Sequence, residues 1–277
     1  MRVSFEPVKH VVLIILALVA LFPIYFLVVN SAKDELQFTR DPLFLPETFR
    51  WENYSKAWDT VARPIVNSTI IVTASVAGIV VLSSLSAYAF SILRFPGRRL
   101  LFILVFVLLL IPSVLTLIPL YLQIKRLDVL GISGGYGSLI LPYVAAGQAF
   151  SIFVLKTFFD GISRELIEAA RIDGAGDIRV YTNIVMPLSV PVLASVAIVN
   201  FIPLWNDYLL PSLLLGHNYR TLTMALVTFQ GSAQSHSASN FGALMASYAL
   251  ACIPLGIVFA FLMRYYVEGL TSGALKL

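Results

Sequence analysis

From Val11 to Val29 the chain carries no charged side chain. A helix over that run rises about 28 Å at about 1.5 Å per residue, close to the thickness of a bilayer's hydrocarbon core. Apolar runs of similar length recur at Ile65–Leu93, Leu100–Ile124, Ser138–Phe159, Leu188–Leu209 and Phe241–Met263. Backbone groups in lipid must be paired within the spanning structure, and these runs are far longer than barrel strands, so each is predicted to be a helix. The first run is too long for a signal peptide, and no A-x-A site follows it. Only 12% of the residues are charged and 58% are hydrophobic, against roughly 25% charged in a soluble domain. The expected fold class is an all-α polytopic membrane protein with six transmembrane helices, one transmembrane domain over residues 1–277.

The intervening segments read as connections. Asn30–Pro64 is a mixed-charge, aromatic-rich loop with Trp51, Tyr54 and Trp58, whose tryptophans suit interfacial anchoring or partner docking. Arg94-Phe95-Pro96-Gly97-Arg98-Arg99 is a tight basic turn. Pro112 and Pro119 are expected to break the third run, and Pro23 to bend the first. Pro211–Asn240 reads as a polar loop, and Arg264–Leu277 as a tail beyond the sixth span. The single cysteine, Cys252, excludes an internal disulfide and a multi-cysteine metal site; no metal site is expected. The net charge of +4 does not suggest nucleic acid as a partner.

Six spans place both termini on one side. That side carries 11 of the Lys and Arg residues and the other 8, of which 5 fall in the long first loop. The short loops of the second side therefore hold only 3, and the termini and basic turn are predicted to be cytoplasmic.

One cytoplasmic interval stands out. Asp160–Pro187 carries Asp160, Arg164, Glu165, Glu168, Arg171, Asp173, Asp177 and Arg179 between two apolar runs. Ser163 is placed to cap a helix from Arg164 to about Asp173, with Glu165 in its first turn. Gly174 offers the left-handed position that ends it, and Asp177 is placed to cap a second helix leading to Pro187. Leu166, Ala169, Ala170 and Asp173 share one side of the first helix, and Gly174 and Ala175 keep the elbow thin. Such a segment is either a solvated connection or an element that docks in a partner's groove.

The spacing within it resembles a known pattern. Glu168-Ala169-Ala170-Arg171-Ile172-Asp173-Gly174 followed by Ile184-Val185-Met186-Pro187 is similar to the E-A-A-x3-G…I-x-L-P loop of binding-protein-dependent ABC importer permeases, with Met186 where leucine is commoner. Leu85–Arg99 and Trp205–Pro211 resemble the second- and fifth-span exits of the carbohydrate-uptake type. Tyr266–Lys276 resembles the tail of the second permease subunit of maltose-type systems. The resemblance implies a type I ABC importer fold with a coupling segment at 160–187. It implies as partners a second homologous permease subunit, two copies of an ABC ATPase and an extracytoplasmic solute-binding protein, in the bacterial inner membrane. It also implies ATPase coupling through Glu168, Ala169, Ala170, Asp173, Gly174 and Ala175. Tail contacts at Glu268, Gly269 and Lys276 are implied to reach between the ATPases, and Gly216–Gly231 to enter the binding protein's cleft.

No G-x-x-x-x-G-K-[ST] loop occurs in the chain. The chain is therefore expected to be no enzyme and to hold no cofactor, with ATP and Mg bound on the ATPase subunits. Intramembrane polar groups suggest a solute path: Gln148, Asn200 and Asn206 within the spans, Asp207 at the outer mouth, and Trp205 and Tyr208 as aromatic platforms. Each has the alternative of bonding a neighbouring helix. An ion-coupled secondary transporter is disfavoured because no predicted span holds a carboxylate in its interior, Asp207 lying near the end of the fifth. A membrane enzyme is disfavoured because His10, His217 and His236 are scattered, and a non-transport membrane scaffold is a further alternative.

Overall fold

The computed structural model describes residues 6–127, 133–235 and 241–274. Its elements are helices: α1 (Glu6–Ser31), α2 (Glu35–Arg40), α3 (Glu52–Ser91), α4 (Arg98–Val107), α5 (Ser113–Arg126), α6 (Gly137–Asp160), α7 (Arg164–Ile172), α8 (Asp177–Val180), α9 (Met186–Leu188), α10 (Val190–Asn206), α11 (Leu209–Leu214), α12 (Leu222–Ser235) and α13 (Phe241–Ala274). A π-helical turn, Tyr181–Val185, joins α8 to α9.

Four helices are long and apolar enough to cross a membrane, within α1, α3, α6 and α13. Two further stretches qualify as bent pairs, Arg98–Leu110 with Val114–Arg126 and Asp177–Leu188 with Val190–Asn206. Counting each pair as one span gives six among the described residues. The first pair turns through 104°. Its break lies before Pro112, where Ile111 is extended (ψ 116°), as a residue preceding proline prefers. The expected second break at Pro119 does not occur; Pro119 lies inside α5. Pro23, Pro64, Pro142, Pro203 and Pro254 are likewise carried within helices, as membrane helices tolerate.

Three connections predicted from the absence of long apolar runs are helical instead. The Asn30–Pro64 loop contains α2 and the first turns of α3, which begins at Glu52. Asn53, Ala57 and Val61 form a buried stripe along those turns, so a polar helix end is held by one inward face. The Pro211–Asn240 loop contains α11 and α12, and in α12 Leu222, Ala225 and Leu226 are buried. The tail is helical as far as Ala274, continuing α13 beyond the apolar span that ends at Phe261.

Contacts group the chain into two units. One comprises residues 1–66 and 222–254, the other 67–221 and 255–277. In the first, Asn53 Nδ2 donates to the carbonyls of Ser31 and Lys33, both at 2.9 Å. Gly242 lies so close to these groups that a Cβ would collide with the Lys33 carbonyl and the Asn53 amide. Asp34 caps α2 by accepting from Gln37 N (2.9 Å), and Arg50 pairs with its other oxygen at 3.1 Å. The Gln37 amide bond is the main influence holding the Asp34 carboxyl below its ordinary pKa. Lys33 is buried, with its ammonium on the Asp41 carbonyl at 2.7 Å.

In the second unit, α3, α6 and α10 pack around two cores. One gathers Ile71, Ile124, Leu139, Tyr143 and Leu214. The other gathers Ala87, Tyr88, Leu155, Phe159, Val196 and the inward side chains of the α7–α9 segment. Helices α3 and α6 approach closely where glycine leaves room, at Gly78 against Val144 and at Gly147 against Ile79 and Asn200, the role small residues play between helices in lipid.

Candidate functional site

The charged interval becomes a helix–elbow–helix. Helix α7 starts at Arg164 as expected, but Ser163 makes no side-chain cap. Its end is a Schellman motif: Ala175 N donates to Ala170 O (2.9 Å) and Gly174 N to Arg171 O (3.1 Å). Gly174 adopts φ +83°, the left-handed region expected of it. The predicted cap of the second helix needs correction. Gly176 occupies the cap position and Asp177 the first helical one. With its side chain free of that duty, Asp177 accepts from Arg171 at 2.8 Å and closes the elbow.

The helix has three faces. Ile167 is buried, and Ala170 with Ala175 packs against the same core. The opposite face, Glu165, Leu166, Ala169, Ile172 and Asp173, is exposed, with Ile172 86% exposed. The third side carries Arg164, Glu168 and Arg171. Of the six predicted coupling residues, Ala169, Asp173 and Gly174 are outward, Glu168 is exposed on the third side, and Ala170 and Ala175 anchor the segment to its own chain. Ile178, in α8, is 81% exposed beside the elbow. Sequence reasoning passed over Ile172 and Ile178; two isoleucines in the charge-rich interval of the chain's second half were the available signal.

The segment is tied to the spans by more than apolar contact. Tyr88 of α3 donates to the Asp177 carbonyl (3.0 Å), and the Ser84 and Tyr181 hydroxyls share a hydrogen bond of 2.8 Å. The Tyr88 and Tyr181 rings meet edge to face at 5.3 Å. Ser91 at the end of α3 donates to Asp160 at the end of α6 (2.7 Å), which also receives Lys156 (2.6 Å). Asp177–Leu188 then meets α10 at a 75° bend at Ser189, a buried residue whose hydroxyl donates to Val185 O.

The predicted solute-path residues do not converge. Gln148 is half-buried and donates to Val144 O within α6. Asn200 donates to Ser151 Oγ on α6 (3.1 Å) and to Val196 O, so it joins two helices. Asn206 is exposed and bonds Ile202 O in its own helix. Trp205 is buried with one ring face stacked on Phe201 at 5.5 Å, which removes it as an open platform. Asp207 accepts from Tyr143 at 2.7 Å and from Leu209 N at 2.9 Å, so it ties α6 to the start of α11. Tyr208 alone keeps an aromatic ring 43% exposed. Glu268 and Gly269 lie on the α13 backbone, while Lys276 lies outside the described residues.

A multi-pass helical bundle with a charged helix–elbow–helix rooted in its core has the architecture of a membrane transport permease. Residues 79–272 match the family model described as binding-protein-dependent transport system inner membrane component, and the chain belongs to that family. It is 31% identical to the diacetylchitobiose uptake system permease protein of Streptomyces coelicolor, over 98% of this chain and 89% of that one. Identity is 35% to the trehalose/maltose transport system permease protein of Thermococcus litoralis, over 98% of each chain. It is 34% to the sn-glycerol-3-phosphate transport system permease protein of Yersinia pestis, over 95% of each. The fold matches a chain of a bacterial ABC transporter involved in the import of the acidic polysaccharide alginate, with TM-score 0.79 and 24% identity, over 95% of this chain and 96% of the other. The chain is a type I importer permease in fold and a transport protein by family.

Proposed function

We propose that this permease passes a sugar or sugar-like solute across the bacterial inner membrane, driven by ATP hydrolysed on two copies of a separate ABC ATPase, with both termini and the 160–187 segment cytoplasmic. A second homologous permease completes the path, and an extracytoplasmic solute-binding protein delivers the cargo. ATP and Mg belong to the ATPase subunits. The family supports the delivery step, and the names of three relatives, for diacetylchitobiose, trehalose/maltose and sn-glycerol-3-phosphate, support the solute class.

The observation that carries the coupling role is the two-sidedness of α7. Its inner side chain, Ile167, sits in the core shared by α3, α6 and α10, while Leu166, Ala169, Ile172 and Asp173 are presented outward. An ATPase that grips the outer face on closing would push a core to which three spans are attached, a rigid-body transition driven from an interface. The tail residues Glu268, Gly269 and Lys276 are proposed as a second ATPase contact. For the solute path, Tyr208 is the strongest of the proposed contacts. Gln148, Asn200, Trp205, Asn206 and Asp207 remain proposed as weaker contacts along the path.

The test is copurification followed by transport. The tagged chain, purified from the membranes of its native host, is expected to retain an ATPase and a second permease. Reconstituted with its binding protein, it should take up labelled sugar only with ATP inside the vesicle. Uptake driven by an ion gradient on this chain alone would overturn the proposal.

A further inference from the structure

Beside the inner anchor of α7 lies a cleft of about 600 Å³ formed by the ends of α3 and α6, the start of α4 and one side of α7. Five basic side chains line it: Arg94, Arg98, Lys156, Arg164 and Arg171. Only Asp160 and Glu168 oppose them. Three of the five cations are already engaged: Lys156 with Asp160, Arg171 with Asp177, and Arg98 with the carbonyls of Ser91 and Leu93. Arg94 and Arg164 have no hydrogen-bond or ion-pair partner among the described residues. Arg164 also begins α7, whose first turn receives no side-chain cap, so unpaired backbone amides add to the positive field there.

The cleft is at the depth where two spans end, so it lies at the membrane interface. Its mouth is flanked by α4, which carries Leu100, Leu101 and Leu104 exposed. Phe102 of the same helix lies under the Lys156 ammonium at 4.9 Å. Unpaired cations at an interface beside an apolar helix surface suit a molecule with an anionic head and hydrocarbon chains. Basic pockets between membrane helices recognise phosphate head groups in this way, and paired guanidinium groups match phosphate oxygens.

We propose that this cleft is a binding site for the phosphate of an anionic phospholipid, held by Arg94 and Arg164, with the acyl chains lying along Leu100, Leu101 and Leu104 of α4. The pocket side of α7 is distinct from its outward face, so a lipid in the cleft leaves Leu166, Ala169, Ile172 and Asp173 uncovered. Bound there, the lipid would brace α7 against the ends of α3 and α6.

The site belongs to this chain, so its test needs neither cargo nor ATPase and can fail without touching the proposed transport role. The full-length chain in neutral detergent is mixed with phosphatidylglycerol or phosphatidylcholine, and lipid retained after gel filtration is counted by mass spectrometry. Wild type is expected to retain phosphatidylglycerol at least tenfold over phosphatidylcholine. An Arg94→Gln, Arg164→Gln double variant should weaken phosphatidylglycerol binding about 25-fold, about fivefold for each charge near an anionic surface. The Arg94→Lys, Arg164→Lys variant, which keeps both charges, should bind phosphatidylglycerol within a few-fold of wild type. Equal retention of the two lipids, or an unchanged preference in the glutamine variant, would overturn the site. Displacement of phosphatidylglycerol by inorganic phosphate below about 1 mM would overturn the lipid as the source of the phosphate, because a doubly attached lipid should resist a soluble anion.

Discussion

Gly174 holds φ +83° with open space where a Cβ would stand, so a substitution there acts through the backbone and not through a clash. Alanine in that conformation costs roughly 1–2 kcal/mol, and Gly174→Ala is expected to keep most uptake. Proline cannot adopt the angle and lacks the amide that donates to Arg171 O. Gly174→Pro should therefore open the elbow and lower solute uptake per ATP at least tenfold in proteoliposomes; normal coupling in that variant would refute the elbow's role. Asp34 invites a pH test. Its folded pKa is depressed, chiefly by the Gln37 amide and secondarily by Arg50. Its contribution is thus full above the unfolded carboxylate value of about 3.9 and is lost as pH falls through the lower folded value. Asp34→Asn keeps a capping oxygen. It should be less stable than wild type at pH 6, by less than about 1 kcal/mol since the Arg50 pair is half-exposed, and the gap should narrow as pH falls below about 3.9. A larger gap at pH 3 than at pH 6 would contradict the sign.

At the scale of elements, the faces of α7 separate stability from docking. Ile167 is 6% exposed, and Ile167→Ala should destabilise the chain by about 2–5 kcal/mol. Ile172, 86% exposed, contributes little to this chain's own packing. Ile172→Ser should leave the unfolding temperature within about 1 °C, by the small effect expected of exposed substitutions, while reducing the ATPase retained in a pull-down. Full retention would place the contact elsewhere. The sequence made α7 and its elbow legible because a glycine stop and helix-favouring residues agree locally. It left the start of α3 and all of α12 illegible to a search for uncharged runs, because their inward stripes (Asn53, Ala57 and Val61; Leu222, Ala225 and Leu226) are narrow and mixed with polar residues. The polar residues of the spans left two readings open for the opposite reason. Asn200 and Asp207 stand out in sequence, yet each satisfies a neighbouring helix, which only the packing decides.

For the molecule as a machine, the question is whether the α7–α9 segment moves with the spans or slides over them. The shared core, the Tyr88 bond to Asp177 and the Ser84–Tyr181 bond all tie the segment to α3, and the π-helical turn at Tyr181–Val185 places that tyrosine where helix spacing alone would not. If the tie transmits force, removing either hydroxyl of the Ser84–Tyr181 pair should have the same consequence as removing both. Ser84→Ala and Tyr181→Phe are each expected to cost about 1 kcal/mol of stability. The double variant should cost little more than the worse single one, so the cycle returns a coupling energy of similar size. Uptake per ATP should fall in all three variants by a similar factor, since a segment loosened from α3 would absorb part of the ATPase stroke. Strictly additive stabilities together with unchanged uptake per ATP would mean that the hydroxyl pair carries no force and that Ile167, Val180 and Val185 alone seat the lever.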